Sequence, residues 1–171
     1  VFGGAVCLAY LLLDKSFDRA QLWNWRAARA HLPAILLRFV IAAPLLAGAV
    51  LLLFPDSFLS FPRRNTTLWA VVMLLYPIFS VYPQELMFRA FLFQRYAPLF
   101  ATTTAAIVAS AAAFGFGHII LNPVAVALCI VGGLLFARTY VRSRSLLAAS
   151  IEHALYGDLL FTIGFGRFLY L

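Results

Sequence analysis

From Pro33 to Phe54 the chain carries one charged residue, Arg38, in an otherwise apolar run. Roughly 20 apolar residues in a helix span the hydrocarbon of a bilayer. In such surroundings every backbone amide must find its partner within the segment, and a helix achieves this. This one stretch therefore directs the chain into a membrane. Comparable runs recur at about 68–96, 99–121, 123–137 and 145–165, and Val1–Leu13 reads as a first span that is short or truncated. Hydrophobic residues make up 64% of the 171 and charged residues 11%. That is too little polar surface for an exterior facing water. The expected fold is all-α: a polytopic transmembrane helical bundle of about six spans, forming a single membrane domain over 1–171. No period of 20–50 residues and no low-complexity segment interrupts this pattern.

The formal net charge of +7 would suggest nucleic acid in a soluble protein. Here basic residues flank apolar spans and set their orientation, so no nucleic-acid partner is expected. The connection from Asp14 to His31 holds Lys15, Arg19, Arg26 and Arg29, with Trp23 and Trp25 as candidate interface anchors. Together with Arg89, Arg95, Arg138, Arg142 and Arg144, this side collects nine basic residues against three, Arg63, Arg64 and Arg167. The richer side is predicted to be cytoplasmic, in a multi-pass protein of a prokaryotic plasma membrane. Pro77 and Pro83 each remove a backbone donor and predict kinks or breaks in the third span. Cys7 and Cys129 both lie in apolar runs, without a CxxC pair or a disulfide framework.

Ionisable groups within spans are costly and usually face a partner or a cavity. Arg38 sits near a span end and is expected to snorkel to the interface. Glu85 and Arg89 are one helical turn apart and can pair, with Gln84 beside them. Phe114 and His118 share a helix face, and Gly115 and Gly117 permit close packing. His153 and Asp158 lie on neighbouring faces of the last span, with Gly157 between them, and Glu152 is expected to reach the cytoplasmic interface. A carboxylate, two imidazoles and an aspartate on three spans suit the activation of water inside a membrane. Glutamate serves as a general base, and imidazole relays protons near neutral pH. Hydrogen-bond donors stabilise the developing oxyanion. The same Glu85, His118 and His153 also match a zinc site with one open position, and the residues alone leave both chemistries open. Helix rise puts Glu85 and His153 in the cytoplasmic half and His118 nearer the other side. Their convergence requires broken helices at Pro83 or at Gly115–Gly117.

Taken in order, PQELMFR, FGFGH and IEHALYGD resemble the three motifs of the CAAX-processing and bacteriocin-processing membrane proteases, the CPBP or Abi family. The resemblance covers about 68–165, the motif-bearing core. It implies a helical intramembrane endopeptidase whose water is activated by glutamate, with no resident cofactor. Its substrate would be a membrane-proximal peptide or protein, lipid-modified or membrane-anchored, met at the bilayer. By position, the motif glutamates fall on Gln84 and Glu85, the arginine on Arg89, and the two histidines on His118 and His153. Asp158 is the nearest candidate for the last polar partner, although strict four-residue spacing lands on Gly157. Gln84 departs from the pattern, because an amide cannot take a proton from water at neutral pH.

The sequence thus predicts Glu85, His118, His153 and Asp158 as catalytic. Glu85 would act as base on a water also held by His118, while His153 and Asp158 orient the carbonyl. Gln84, Arg89 and Phe114 are expected to support the site. The alternatives are a degenerate peptide-binding or immunity protein, favoured by Gln84; a metal-dependent protease; and a small proton-relaying transporter, for which the repeated halves are not found.

Overall fold

A computed structural model describes residues 2–168, so Val1 of the first apolar run lies outside the described residues. Among the described residues seven α-helices follow one another: α1 Phe2–Leu13, α2 Trp25–Leu53, α3 Ser60–Arg64, α4 Thr66–Tyr96, α5 Thr103–Phe116, α6 Pro123–Ser143 and α7 Leu146–Ile163. Among the described residues there is no strand, and the fold is an all-α polytopic bundle. Small polar residues set where the helices start. The side chains of Asn24, Asn65, Thr102, Asn122 and Ser145 accept from the backbone amides of Ala27, Leu68, Ala105, Ala125 and Ala148. Each cap satisfies a donor that the first turn leaves without a partner.

Among the described residues four helices, α2, α4, α6 and α7, are long and apolar enough to cross a membrane, whereas α1 and α5 are shorter. The expected span at 99–121 is cut down because tight turns close the helix after Phe116. At about 1.5 Å per residue α5 reaches only about 21 Å, less than the hydrocarbon thickness. The turn that follows it carries His118.

Pro77 and Pro83 do not break the third span. Helix α4 runs through both, with wide turns over Pro77–Val81 and Leu86–Phe91. The Tyr82 amide reaches back five residues to the Pro77 carbonyl. Such wide turns absorb a missing donor and rotate the side chains beyond them. Gln84 and Glu85 lie between the two.

Two ends of the bundle are fixed by polar ties. At one end Gln94 donates to Asp14 at 2.9 Å, the Tyr140 hydroxyl to Gln21 Oε1 at 3.0 Å, and Ser145 Oγ to the Asn24 carbonyl at 3.0 Å. Hydrogen bonds from Ser16 and Gln94 hold the Asp14 carboxyl below its ordinary range. At the other end Asn122 donates to the Phe168 carbonyl and Arg167 to Ser57, both at 2.8 Å. The first end carries Lys15, Arg19, Arg26, Arg29, Arg95, Arg138, Arg142 and Arg144, and the second Arg63, Arg64 and Arg167. Arg89 leaves the orientation count because it is wholly buried. Eight basic residues then remain at the first end against three at the second. Between the ends, α2 and α4 expose Leu37, Val40, Leu45, Leu74, Ile78 and Phe79, a surface suited to acyl chains rather than water.

Helix α7 packs against α2, α4 and α6. One contact reverses two expectations. Arg38 does not snorkel free, and Glu152 does not reach the interface. Glu152 is fully buried and accepts from Arg38 Nε at 2.9 Å and from the Thr139 hydroxyl. The pair closes α2 and α6 onto α7, because a carboxylate buried there needs both charge and hydrogen bonds. Glu152→Ala should lower stability in detergent by about 1–3 kcal/mol, leaving Arg38 and Thr139 without an acceptor. A thermal unfolding midpoint unchanged from wild type would show that the pair is not a structural tie.

Candidate active site between α4, α5, α6 and α7

The site is organised around Glu85. This carboxylate is fully buried, where an isolated charge would be prohibitive. Two groups compensate it. Arg89, one turn along α4, places Nε 3.1 Å from Oε2, and His153 on α7 places Nδ1 2.8 Å from Oε1. Arg89 is itself fully buried. Its NH2 lies 3.5 Å from the Gly133 carbonyl. Its guanidinium carbon sits 4.5 Å from the centre of the Phe114 ring and 5.5 Å from that of Phe136. Aromatic faces are favourable neighbours for a desolvated guanidinium.

This arrangement sets the tautomer of His153. A carboxylate paired with arginine only accepts, so Nδ1 carries the proton and Nε2 presents its lone pair. Tyr76 lies 3.2 Å from that Nε2 and donates its hydroxyl to it. The ring is further clamped by Phe136, stacked at 4.5 Å and 13°. His118 is fixed by the same logic. Its Nδ1 is 2.8 Å from the Phe114 carbonyl, so Nδ1 donates and Nε2 again holds the lone pair. Phe114 lies against both imidazoles, with ring centres 4.8 Å from His118 and 5.4 Å from His153.

Both imidazoles line one cavity of about 380 Å³. Its walls are mostly leucine, phenylalanine and small side chains from α2, α5, α6 and α7, and Tyr76, Ser80 and Gln84 of α4 add polar groups. Gln84 donates Nε2 to Ser80 Oγ at 2.8 Å, which leaves Oε1 buried without a partner. Cys129 also lines the cavity as a free thiol.

The predicted residues therefore separate into two groups. Gln84, Phe114, His118 and His153 meet at the cavity. Glu85 and Arg89 lie behind His153 and do not line it, because Glu85 spends its oxygens on His153 and Arg89. The water shared directly by Glu85 and His118 has no counterpart in this geometry. Asp158 also stays off the cavity wall; its Oδ1 is buried without a hydrogen-bond partner. The convergence of His118 with His153 depends on the short α5 and the turn after it. Sequence reasoning missed Tyr76. The residue sits in an apolar run eight positions before Gln84, and only its contact with His153 marks it.

The zinc ligand set of Glu85, His118 and His153 does not fit this donor arrangement. Glu85 Oε1 faces His153 Nδ1 at 2.8 Å, and Oε2 lies in ion-pair contact with Arg89 Nε at 3.1 Å without a hydrogen bond. Among the described residues no three His, Cys, Asp or Glu side chains are grouped to hold a metal ion.

The fold and site define an integral membrane helical protein with a buried acid–imidazole pair at an intramembrane cavity. A family model described as Type II CAAX prenyl endopeptidase Rce1-like matches residues 64–157. The match covers more than half of the chain, and the chain belongs to this family. Membership implies a CAAX-type intramembrane protease, with a membrane-anchored or prenylated peptide as its substrate class. The match takes in Gln84, Glu85, Arg89, Phe114, His118 and His153 and stops one residue short of Asp158. Neither the comparison with curated proteins nor that with solved structures finds a match.

Arg89→Ala should destabilise the fold by about 3–5 kcal/mol, because it strands the Glu85 charge in the core. Chemical unfolding in mild detergent measures this. A loss below about 1 kcal/mol would mean that Glu85 is not held as a charged partner.

Proposed function

We propose that this chain is an intramembrane endopeptidase in which Glu85 activates water through His153 rather than by touching it. The observation that carries this reading is the 2.8 Å contact from His153 Nδ1 to a fully buried Glu85, with the opposite edge of the ring on the cavity. A carboxylate behind an imidazole orients the ring and stabilises its protonated form, which makes the outer nitrogen an effective base. His118, with its Nε2 lone pair, accepts the water's second hydrogen and positions the oxygen. As that oxygen bonds to the scissile carbonyl carbon, one proton passes to His153 Nε2. Collapse of the tetrahedral intermediate breaks the C–N bond, and His153 returns the proton to the leaving nitrogen. The products are a carboxylic acid and an amine. Gln84 contributes hydrogen bonds to the peptide, and the apolar walls accept the lipid-modified part of a membrane-anchored substrate. None of these steps assigns a role to a metal.

The test uses purified protein in proteoliposomes and a prenylated peptide with a quenched fluorophore. Wild type should cleave, with or without chelator. His153→Ala and Glu85→Gln should each lose about 10²–10⁴-fold in turnover, the range of a general acid–base contribution. Retained folding of both variants is checked by unfolding. Full activity of folded His153→Ala, or loss of wild-type activity on chelation, would defeat this mechanism.

A second reading has one observation in its favour. The member of the Gln84–Glu85 pair that faces the cavity is the amide. A peptide-binding protein without turnover would present such a wall. In that case wild type binds the prenylated peptide without cleaving it, His153→Ala still binds, and Gln84→Glu is the variant that gains turnover.

A further inference from the structure

Gly157 lies on α7 one turn beyond His153, and the structure fills the space over it with Tyr76. A Cβ built at position 157 would collide with both the hydroxyl and the ring edge of Tyr76. The glycine is thus the condition for the phenol to reach where it does. From there the hydroxyl donates to His153 Nε2 at 3.2 Å and belongs to the cavity wall. The ring is held edge-on against Phe161 at 5.2 Å between centres. Tyr76 comes from the last turn before the wide turn at Pro77–Val81, so the hydroxyl belongs to α4 but serves the α7 side of the site.

Hydrolysis needs a hydrogen-bond donor where negative charge develops on the carbonyl oxygen. The two imidazoles do not supply it in their resting tautomers. Each spends its one N–H elsewhere, on Glu85 and on the Phe114 carbonyl, which leaves Nε2 a lone pair, and that of His153 accepts from Tyr76. Aspartate at 158 is off the wall. Tyr76, by contrast, brings an O–H donor directly against the base.

We infer that Tyr76 is the oxyanion donor of this site, its hydroxyl taking the place that a side chain at position 157 would otherwise hold. The inference rests on the hydrolytic reading above. In the resting protein the hydroxyl hydrogen lies on His153 Nε2. When a peptide carbonyl enters, rotation about the C–O bond moves that hydrogen onto the carbonyl oxygen. Rotation alone leaves the phenol oxygen over Nε2, so the Tyr76 side chain also shifts toward the carbonyl and opens the Nε2 lone pair to water. One hydroxyl therefore holds the base silent without substrate and stabilises the charge once substrate is present.

Two measurements test this separately from the hydrolytic reading. In the cleavage assay, Tyr76→Phe should lower kcat by about 10²–10³-fold, the cost of one oxyanion donor, with KM little changed. Combining Tyr76→Ala with Gly157→Asn removes the phenol and puts an amide donor in its space, and should recover at least about tenfold over Tyr76→Ala alone. In the binding assay, a peptide phosphinate that mimics the tetrahedral oxyanion should bind Tyr76→Phe at least about tenfold more weakly than wild type. The matching uncleaved peptide should bind both equally. Absence of turnover in wild type would overturn the hydrolytic reading. Equal phosphinate affinity of wild type and Tyr76→Phe would overturn the role of Tyr76, whether or not wild type turns over. A purely packing role for the phenol would weaken both ligands alike and give no recovery in the double variant.

Discussion

The buried carboxylate of Glu85 is the constraint from which the rest of the site follows. An acid with no exposed surface, inside helices that face lipid, demands a charge partner and a hydrogen-bond donor. Arg89 and His153 supply them. Arg89 then needs its own environment and finds it in the Phe114 and Phe136 faces and the Gly133 carbonyl. His153, once its Nδ1 is committed, must turn Nε2 outward. A requirement of electrostatics thus dictates which helices approach and which edge of an imidazole reaches the cavity.

Bringing these groups to one depth takes two departures from regular helix. The wide turns on either side of Gln84 and Glu85 let α4 pass through Pro77 and Pro83 without breaking. The short α5 ends early, so that His118 sits on the turn beside Phe114 rather than at the far end of a span. Ser110 helps fix this depth by donating to the Phe88 carbonyl at 2.7 Å. That bond joins α5 to α4 within the second wide turn. A second ion pair, Arg38 with Glu152, ties the back of α7 to α2. Adjacent residues of α7, Glu152 and His153, thereby engage opposite sides of the bundle.

Much of this was legible from residue order. Apolar runs marked where the helices lie. The three motifs gave Glu85, Arg89, Phe114, His118 and His153 as members of one constellation. The roles were less legible. Glu85 read as a base in contact with water because its type suits that task, but its type does not reveal that it lies behind His153, ion-paired to Arg89. Arg38 read as an interfacial residue from its position in the span, because its partner lies 114 residues away. Tyr76 carried no signal at all, since a tyrosine in an apolar run looks like packing until a glycine on another helix makes room for it.

What the sequence by itself determined is the solvent, the helices and the chemical inventory. Each depends on local composition and spacing, which survive any arrangement of the helices. Tertiary structure decided which member of the Gln84–Glu85 pair meets the cavity, which nitrogen of each histidine bears its proton, and where the Tyr76 hydroxyl lies. Those depend on wide turns, helix ends and close approaches between segments far apart in the chain. A difference of one residue in register or one turn in depth changes all three.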